Sequence, residues 1–400
     1  MKILVINCGS SSIKYELFEM EDESVIAEGL IEKIGTESAI ITYQATDKEE
    51  LMKTAEILDH REGLNLVLRL LMDDKDGVIA SKNEVAAVGH RVVHGGEFFS
   101  ESAVITSEVR QAIRKTVDLA PLHNPPNLLG IAAAEQQLPD AIHVAVFDTA
   151  FHQTMPKHAY LYPLPYVLYT RHKIRRYGFH GTSHKYVSEQ AALFIEKPLT
   201  ELKIISAHIG NGASVTAIDH GISIDTSMGM TPLEGLMMGT RCGDIDPAIV
   251  PYVIAKEDLT LSEIQSMMNK HSGLLGVTGM SSDMREVTQA MEEGNEQAKL
   301  AIDMYLYKLR KTIGSYIAAM NGVDILLFTA GVGENSSYVR QEVCKELSFF
   351  GIELDQSKNN IRSKKTREIS TPNSKVKVLV VPTYEELMIA REAKHLVDQQ

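Results

Sequence analysis

Residues 3–14 read Ile3-Leu4-Val5-Ile6-Asn7-Cys8-Gly9-Ser10-Ser11-Ser12-Ile13-Lys14. A short apolar, β-branched run stops at Asn7, turns through one glycine and three serines, and resumes at Ile13, the outline of a strand, a turn and a second strand. Glycine lets the backbone come close to an anion, the hydroxyls of Ser10 and Ser12 and exposed N–H groups donate to phosphate oxygens, and Lys14 adds a point charge. An ordinary hairpin has the same outline, so one such loop does not decide a function.

The pattern recurs. Residues 203–216 read Lys203-Ile204-Ile205-Ser206-Ala207-His208-Ile209-Gly210-Asn211-Gly212-Ala213-Ser214-Val215-Thr216, so Asn7 falls opposite His208 and Gly9 opposite Gly210, with one residue inserted afterwards. A third glycine turn, Ala330-Gly331-Val332-Gly333-Glu334-Asn335, follows the strand-like run Ile325-Leu326-Leu327-Phe328-Thr329. Apolar strands that end in glycine loops predict a nucleotide held between two related α/β domains, because ligands of such sheets bind beyond the strand ends. The common nucleotide motifs do not fit. Gly9 to Lys14 lacks the spacing of a P-loop, and Ser336 stands where a dinucleotide fingerprint after Gly331-Val332-Gly333 needs its third glycine.

Composition bounds the rest. A chain of 400 residues has room for two or three domains, and a formal net charge of −13 argues against a nucleic-acid partner. An acidic protein that handles phosphates has to concentrate its cations locally. Cys8, Cys242 and Cys344 are too few and too scattered for a disulfide framework, which points to a reducing cytoplasm. The apolar run after Lys2 is too short for a signal peptide, and no stretch reaches the length of a membrane span.

Residues 85–93 and 141–147 are further strand candidates, each delivering a charged side chain at its end. Residues 298–320 carry Leu300, Met304, Leu309, Ile313, Ile317 and Met320 at spacings mostly of three or four, which predicts a long amphipathic helix stopped by Asn321-Gly322. Polar residues 357–377 read as surface loops around short elements, and a final helix is expected over 385–397, after Pro382. The domain break is expected near residue 150.

Two arginines stand out. Arg91, in Gly89-His90-Arg91-Val92-Val93, and Arg241, in Gly239-Thr240-Arg241-Cys242-Gly243-Asp244, are lone cations among apolar and glycine residues. A half-buried guanidinium needs an anion, and its planar fork matches carboxylate or phosphate oxygens. The bland alternative is an internal ion pair, for Arg241 with Asp244 or Asp246. His180, in Tyr177-Gly178-Phe179-His180-Gly181-Thr182-Ser183-His184, can act on a developing charge; a zinc pair with His184, or of His90 with His94, is disfavoured by Gly181 and by the β-branched Val92-Val93. The run 171–176 reads as a solvated basic face. Asp148 at a strand end and Glu385 beside Glu386 are natural magnesium anchors, although the helix dipole alone accounts for acids in a first turn.

With these residues in place, the chain resembles the acetokinase family, a branch of the superfold shared by actin, sugar kinases and heat-shock ATPases. The likeness spans nearly the whole length and is carried by Asn7 to Lys14, Arg176 to His184, Met228 to Gly235 with Arg241 to Asp244, and Thr329 to Asn335. It implies an α/β fold of two duplicated ribonuclease H-like domains, residues 1–150 joined by a C-terminal helix 383–400 and residues 151–382, with ATP or ADP and an active site in the interdomain cleft. Carried over by position, Asn7 and Glu385 hold magnesium, or manganese. Lys14, Ser10, Ser12, His208, Ile209, Gly210, Asn211 and Gly212 meet phosphates. Asp283, Met284 and Arg285 match positions at the adenosine, as do Gly331, Val332, Gly333, Glu334 and Asn335. Arg91 and Arg241 grip the carboxylate and the phosphoryl group in transit, His180 stabilises the transition state and Asp148 is catalytic. Val93, Leu122, Phe179 and Pro232 match the pocket for the substrate methyl. The partners implied are acetate and acetyl phosphate, with no membrane, and a second copy of the chain in a homodimer.

Tyr384 stands where the family pattern has Asn, and Cys8 where alanine is usual. The expected chemistry is in-line phosphoryl transfer to a carboxylate that is already ionised at neutral pH, so no general base is needed; Asp148 is then expected to orient Arg91 or a metal-bound water. Val93 favours acetate over propionate. The competing class is a nucleotide switch ATPase of the same superfold, which has no use for an apolar pocket beside two arginines.

Overall fold

The computed structural model describes all residues, Met1–Gln400. They form two compact units, Met1–Gln153 with Tyr384–Gln400, and Thr154–Thr383. The first is built on eight strands: β1 (Lys2–Cys8), β2 (Ser12–Glu19), β3 (Ser24–Glu32), β4 (Thr36–Ala45), β5 (Leu51–Ile57), β6 (Val85–Val92), β7 (Ala103–Val104) and β8 (Ile142–Phe147), in the order β5-β4-β3-β2-β1-β6-β8-β7. The second has β9 (Lys203–Ile209), β10 (Ala213–Asp219), β11 (Ile222–Thr226), β12 (Ile325–Thr329), β13 (Arg367–Glu368) and β14 (Lys377–Val380), in the order β11-β10-β9-β12-β14-β13.

The two sheets share one plan. Their central strands, β1 and β9, each carry an antiparallel hairpin on one side and parallel strands on the other, β6 then β8 in the first and β12 then β14 in the second. This is the duplicated ribonuclease H-like arrangement that the family resemblance implies. Parallel strands covered on both faces read as continuous apolar runs, and every residue of β12 is buried. The second hairpin is shorter than the first, not longer as expected. Lys14 pairs with Asn7 across the first turn, and Ser214 pairs with His208 across a turn one residue tighter.

Helix Glu385–Val397 lies over the first sheet. Gly89 is required beneath it, because a Cβ there would come within 2.6 Å of the Ile389 side chain. Helix Gly181–Phe194 packs on β9 of the second sheet. Helix Glu296–Ala319 starts where the Asn295 side chain accepts from the N–H groups of Gln297 and Ala298. Its buried stripe runs through Ile302, Tyr305, Leu309, Ile313 and Ile317, whereas Leu300 and Met304 are 53% and 44% exposed. The expected apolar face therefore holds only for its C-terminal part; Ala298 and Ala301 fill the inner positions of the first turns. Two other expectations also need correction. Residues 357–377 include the fully buried Asn359, Ile369 and Ser370, and within 171–176 only the leading residues are solvated, since Arg175 is buried with its guanidinium 3.5 Å above the Tyr160 ring. No helix is long and apolar enough to cross a membrane.

Candidate active site

In the first unit, parallel register brings the ends of β1, β6 and β8 together. Asn7 sits at the end of β1, directly across from Lys14 on β2. Arg91 extends from β6, and its Nε and Nη2 donate to Oδ1 and Oδ2 of the buried Asp148 at 3.1 and 2.7 Å. This is a two-point fork that holds the guanidinium plane in place. Glu385, in the first turn of helix Glu385–Val397, stands 3.9 Å from the same guanidinium. Asp148, then Glu385, hold Arg91 above its ordinary range. Burial, with Asp148 and Glu386 nearby and only partly offset by Arg91, pushes Glu385 up to about 7.

Lys14 pairs with Glu386 and lies 3.2 Å from Glu16. Burial alone would depress its ammonium, but the two carboxylates together raise it. The buried Glu16 accepts from the Tyr384 hydroxyl at 2.8 Å, so the residue that departs from the family pattern is tied into the lysine's surroundings. In the serine turn, Gly9 N–H donates to the Ser12 carbonyl at 2.9 Å, the Gly9 carbonyl accepts from His60 at 2.7 Å, and Ser10 is exposed. Val93 is buried, its N–H donating to Asn127, whose amide in turn donates to the Cys8 carbonyl. Leu122 is 66% exposed, so within its own unit it closes no pocket.

In the second unit, His180 caps helix Gly181–Phe194 with φ 57°, a left-handed conformation that disfavours any residue with a Cβ. Its ring stacks on His208 at 4.1 Å, and its Nδ1 meets the Ser214 hydroxyl at 2.9 Å. The turn of Gly210, Asn211 and Gly212 closes with Gly210 N–H donating to the Gly212 carbonyl at 3.0 Å, after the fully buried Ile209. A Cβ on Gly212 would lie 3.4 Å from Arg241 Nη1 and 3.7 Å from His180 Nε2, so both side chains come up against this turn.

Arg241 makes no ion pair. Its Nη1 donates to the Pro232 carbonyl at 3.0 Å, and burial lowers its pKa. Asp244 instead accepts from Gly235 N–H and Lys308, both at 2.7 Å, and Asp246 accepts from Ala248 N–H. The internal ion pair held open from the sequence is thus absent. Phe179 is buried and Pro232 half-buried.

Asp283 caps helix Met284–Glu292 and pairs with the exposed Arg285, but the Met284 side chain is buried, so only its backbone is available to a ligand. The short helix Ala330–Asn335 carries Gly331, Val332 and Gly333. It begins at Ala330 with φ 64°, and Glu334 accepts from the N–H groups of Ala330 and Thr383. Asn335 donates to the Gly331 carbonyl.

Several residues escaped the sequence reading. Arg340 is fully buried and donates to the Gly333 and Glu334 carbonyls and to Asn359; followed by Gln341 and Glu342 in the sequence, it reads as an ordinary surface cation of a helix. Asn127, Glu16 and Ser214 carried no signal, because polar residues of their kind are common in strands and loops.

Two sheets of one plan, each with a hairpin on its central strand, define a duplicated α/β protein of the ribonuclease H-like kind. The chain belongs to the acetokinase family, whose pattern it matches over residues 2–391. It is 55% identical to the acetate kinase of Alkaliphilus metalliredigens over 397 residues, covering 99% of this chain and 100% of that one. Among solved structures it is similar to Porphyromonas gingivalis acetate kinase (TM-score 0.95, 49% identity, 99% of each chain). It is also similar to a propionate kinase from Francisella tularensis (TM-score 0.92, 42% identity, 98% of this chain and 99% of that one).

Proposed function

We propose that the protein transfers the γ-phosphoryl group of ATP to acetate, directly and in line, giving acetyl phosphate and ADP, and catalyses the reverse. The observation that carries this is Arg241, a half-buried guanidinium with no carboxylate partner beside the Gly210, Asn211 and Gly212 turn. Such a cation is incomplete until an anion arrives. The relatives named acetate kinase support acetate as the acceptor.

The central difficulty is bringing a carboxylate against a polyanion. In this reading Arg91, aligned by Asp148, and Arg241 neutralise the acceptor and the phosphoryl group in transit, and His180 donates to an equatorial oxygen. Lys14, the hydroxyls of Ser10 and Ser12 and the turn from His208 to Gly212 receive the other phosphates. Asp283, the Met284 backbone, Arg285 and the residues from Gly331 to Asn335 take the adenosine. Val93 and Leu122 in the first unit, and Phe179 and Pro232 in the second, are the residues assigned to the substrate methyl.

The donors suit magnesium. Asn7 stands at the end of β1, Glu385 is a half-buried carboxylate held above its ordinary range, and both offer hard oxygens to an ion that keeps waters and phosphate oxygens as its other ligands. Manganese accepts the same donors. When bound, the ion neutralises phosphate charge. A homodimer is supported by Leu300, Met304 and Tyr307, an exposed apolar stripe on one helix face. Unpaired cysteines support a reducing cytoplasm.

Trapping with hydroxylamine tests the reaction. Acetate-dependent acyl hydroxamate from ATP and magnesium is expected; ATP hydrolysis that ignores acetate, with no hydroxamate, overturns the proposal in favour of a nucleotide switch.

A further inference from the structure

Behind His180 runs a chain of buried hydrogen bonds that the proposed reaction does not by itself require. Ser214 Oγ lies 2.9 Å from His180 Nδ1 and 2.7 Å from His184 Nε2, and His184 Nδ1 lies 2.8 Å from Ser206 Oγ. Ser206, Ser214 and His184 are completely buried. Ser206 and Ser214 are placed by the β9–β10 register on the face covered by helix Gly181–Phe194, which itself carries His184.

A hydroxyl has one proton to give. Ser214 stands between two ring nitrogens, so it donates to at most one of them, and the tautomers of His180 and His184 are coupled. The far end of the chain decides the direction. Ser206 Oγ has His184 Nδ1 as its single hydrogen-bond partner. If His184 donated from Nδ1, the Ser206 proton would be sealed in the interior with no acceptor, the more costly way to leave a buried hydroxyl. The favourable order is therefore Ser206 O–H to His184 Nδ1, His184 Nε2–H to Ser214 Oγ, and Ser214 O–H to His180 Nδ1. His180 is left with its proton on Nε2, the atom that comes up against Gly212.

We propose that Ser206, His184 and Ser214 are positioning residues that hold His180 as a neutral imidazole with Nε2–H aimed at the phosphate turn, so that it acts as a hydrogen-bond donor and not as a cation. The surroundings agree with a neutral ring: the Arg241 guanidinium comes up against the same turn, so an added charge would face repulsion. The proposal rests on reading His180 as facing phosphate, and it deepens that reading.

The test is the ring 15N spectrum of histidine-labelled protein without substrates at pH 7.5, with the His180 signals assigned by their loss in His180→Ala. A pyrrole-type Nε2 and a pyridine-type Nδ1 are expected. Ser206→Ala, distant from the turn, and Ser214→Ala are expected to mix the tautomers and to lower kcat about tenfold or more, with KM for acetate and ATP within about twofold. An imidazolium at His180, a proton on its Nδ1, or an unchanged tautomer in folded Ser206→Ala and Ser214→Ala overturns the proposal. Because the spectra need no turnover, they stand apart from whether the wild-type protein yields acetyl hydroxamate.

Discussion

Replacing Asp148 by Asn probes the most constrained contact in the first unit. The carboxylate takes two hydrogen bonds from Arg91, at 3.1 and 2.7 Å, and is 1% exposed. Asparagine keeps the shape but turns one acceptor into an NH2 group that faces a guanidinium N–H, and it removes the charge. Breaking one side of a buried ion pair costs about 3–5 kcal/mol. Part of this appears as lost stability, and Glu385 at 3.9 Å still offers Arg91 some compensation. If about 3–4 kcal/mol reaches the transition state, at about 1.4 kcal/mol per decade kcat falls roughly 10²- to 10³-fold. The assay is acetate-dependent hydroxamate formation at saturating ATP and magnesium, with thermal melting and near-ultraviolet circular dichroism to certify the fold. Since an ionised acetate has no proton to lose, the shape of the pH–rate profile is expected to be unchanged. A folded Asp148→Asn enzyme with turnover within about threefold of wild type refutes the positioning role, and loss of a single pH limb would reinstate a proton-transfer role.

Glu385→Gln should stabilise the metal-free protein. The folded-state pKa of Glu385, about 7, lies above its ordinary 4.5, so its contribution is intact below pH 4.5 and is lost as the pH rises through 7, a penalty of up to about 3 kcal/mol. The Tm gain of the variant is therefore expected to be larger at pH 8 than at pH 5, and equal gains would contradict it. Gly212→Ala places its methyl 3.4 and 3.7 Å from Arg241 and His180, an ordinary packing distance, so the Tm should hold within a few degrees while kcat/KM for ATP drops at least tenfold; an undiminished kcat/KM would remove that turn from the phosphate site. Arg241→Ala should depress kcat more than it raises either KM, whereas a change confined to KM would mark ground-state binding. Propionate should have a lower kcat/KM than acetate because Val93 is buried, by at most the 1–3 kcal/mol or so that one methylene provides; equal or higher values would reverse the ranking.

Much of the scaffold was legible because it is written locally. The hairpin at Asn7 to Lys14 and its echo at His208 to Ser214 are each encoded within a dozen residues, by apolar strands that break at glycine, and the last helix, Glu385–Val397, by apolar spacing after Pro382. Duplication was legible for the same reason, since two local patterns can be laid side by side. The length of the second turn was misjudged because strand pairing, and not residue identity, sets which residue lies opposite His208.

What the tertiary structure alone decided is partnership. Nothing near Arg241 in the chain reveals that Asp244 turns away to Lys308 and leaves the guanidinium without an anion. Nor do Ser206 and Ser214 announce that they flank His184 behind His180. Leu300 and Met304 satisfy a helical period, yet the core lies on the other side of their helix. A period of three to four residues specifies that a face exists, but only packing against a sheet determines which face is inside, and only strand register determines which charge meets which.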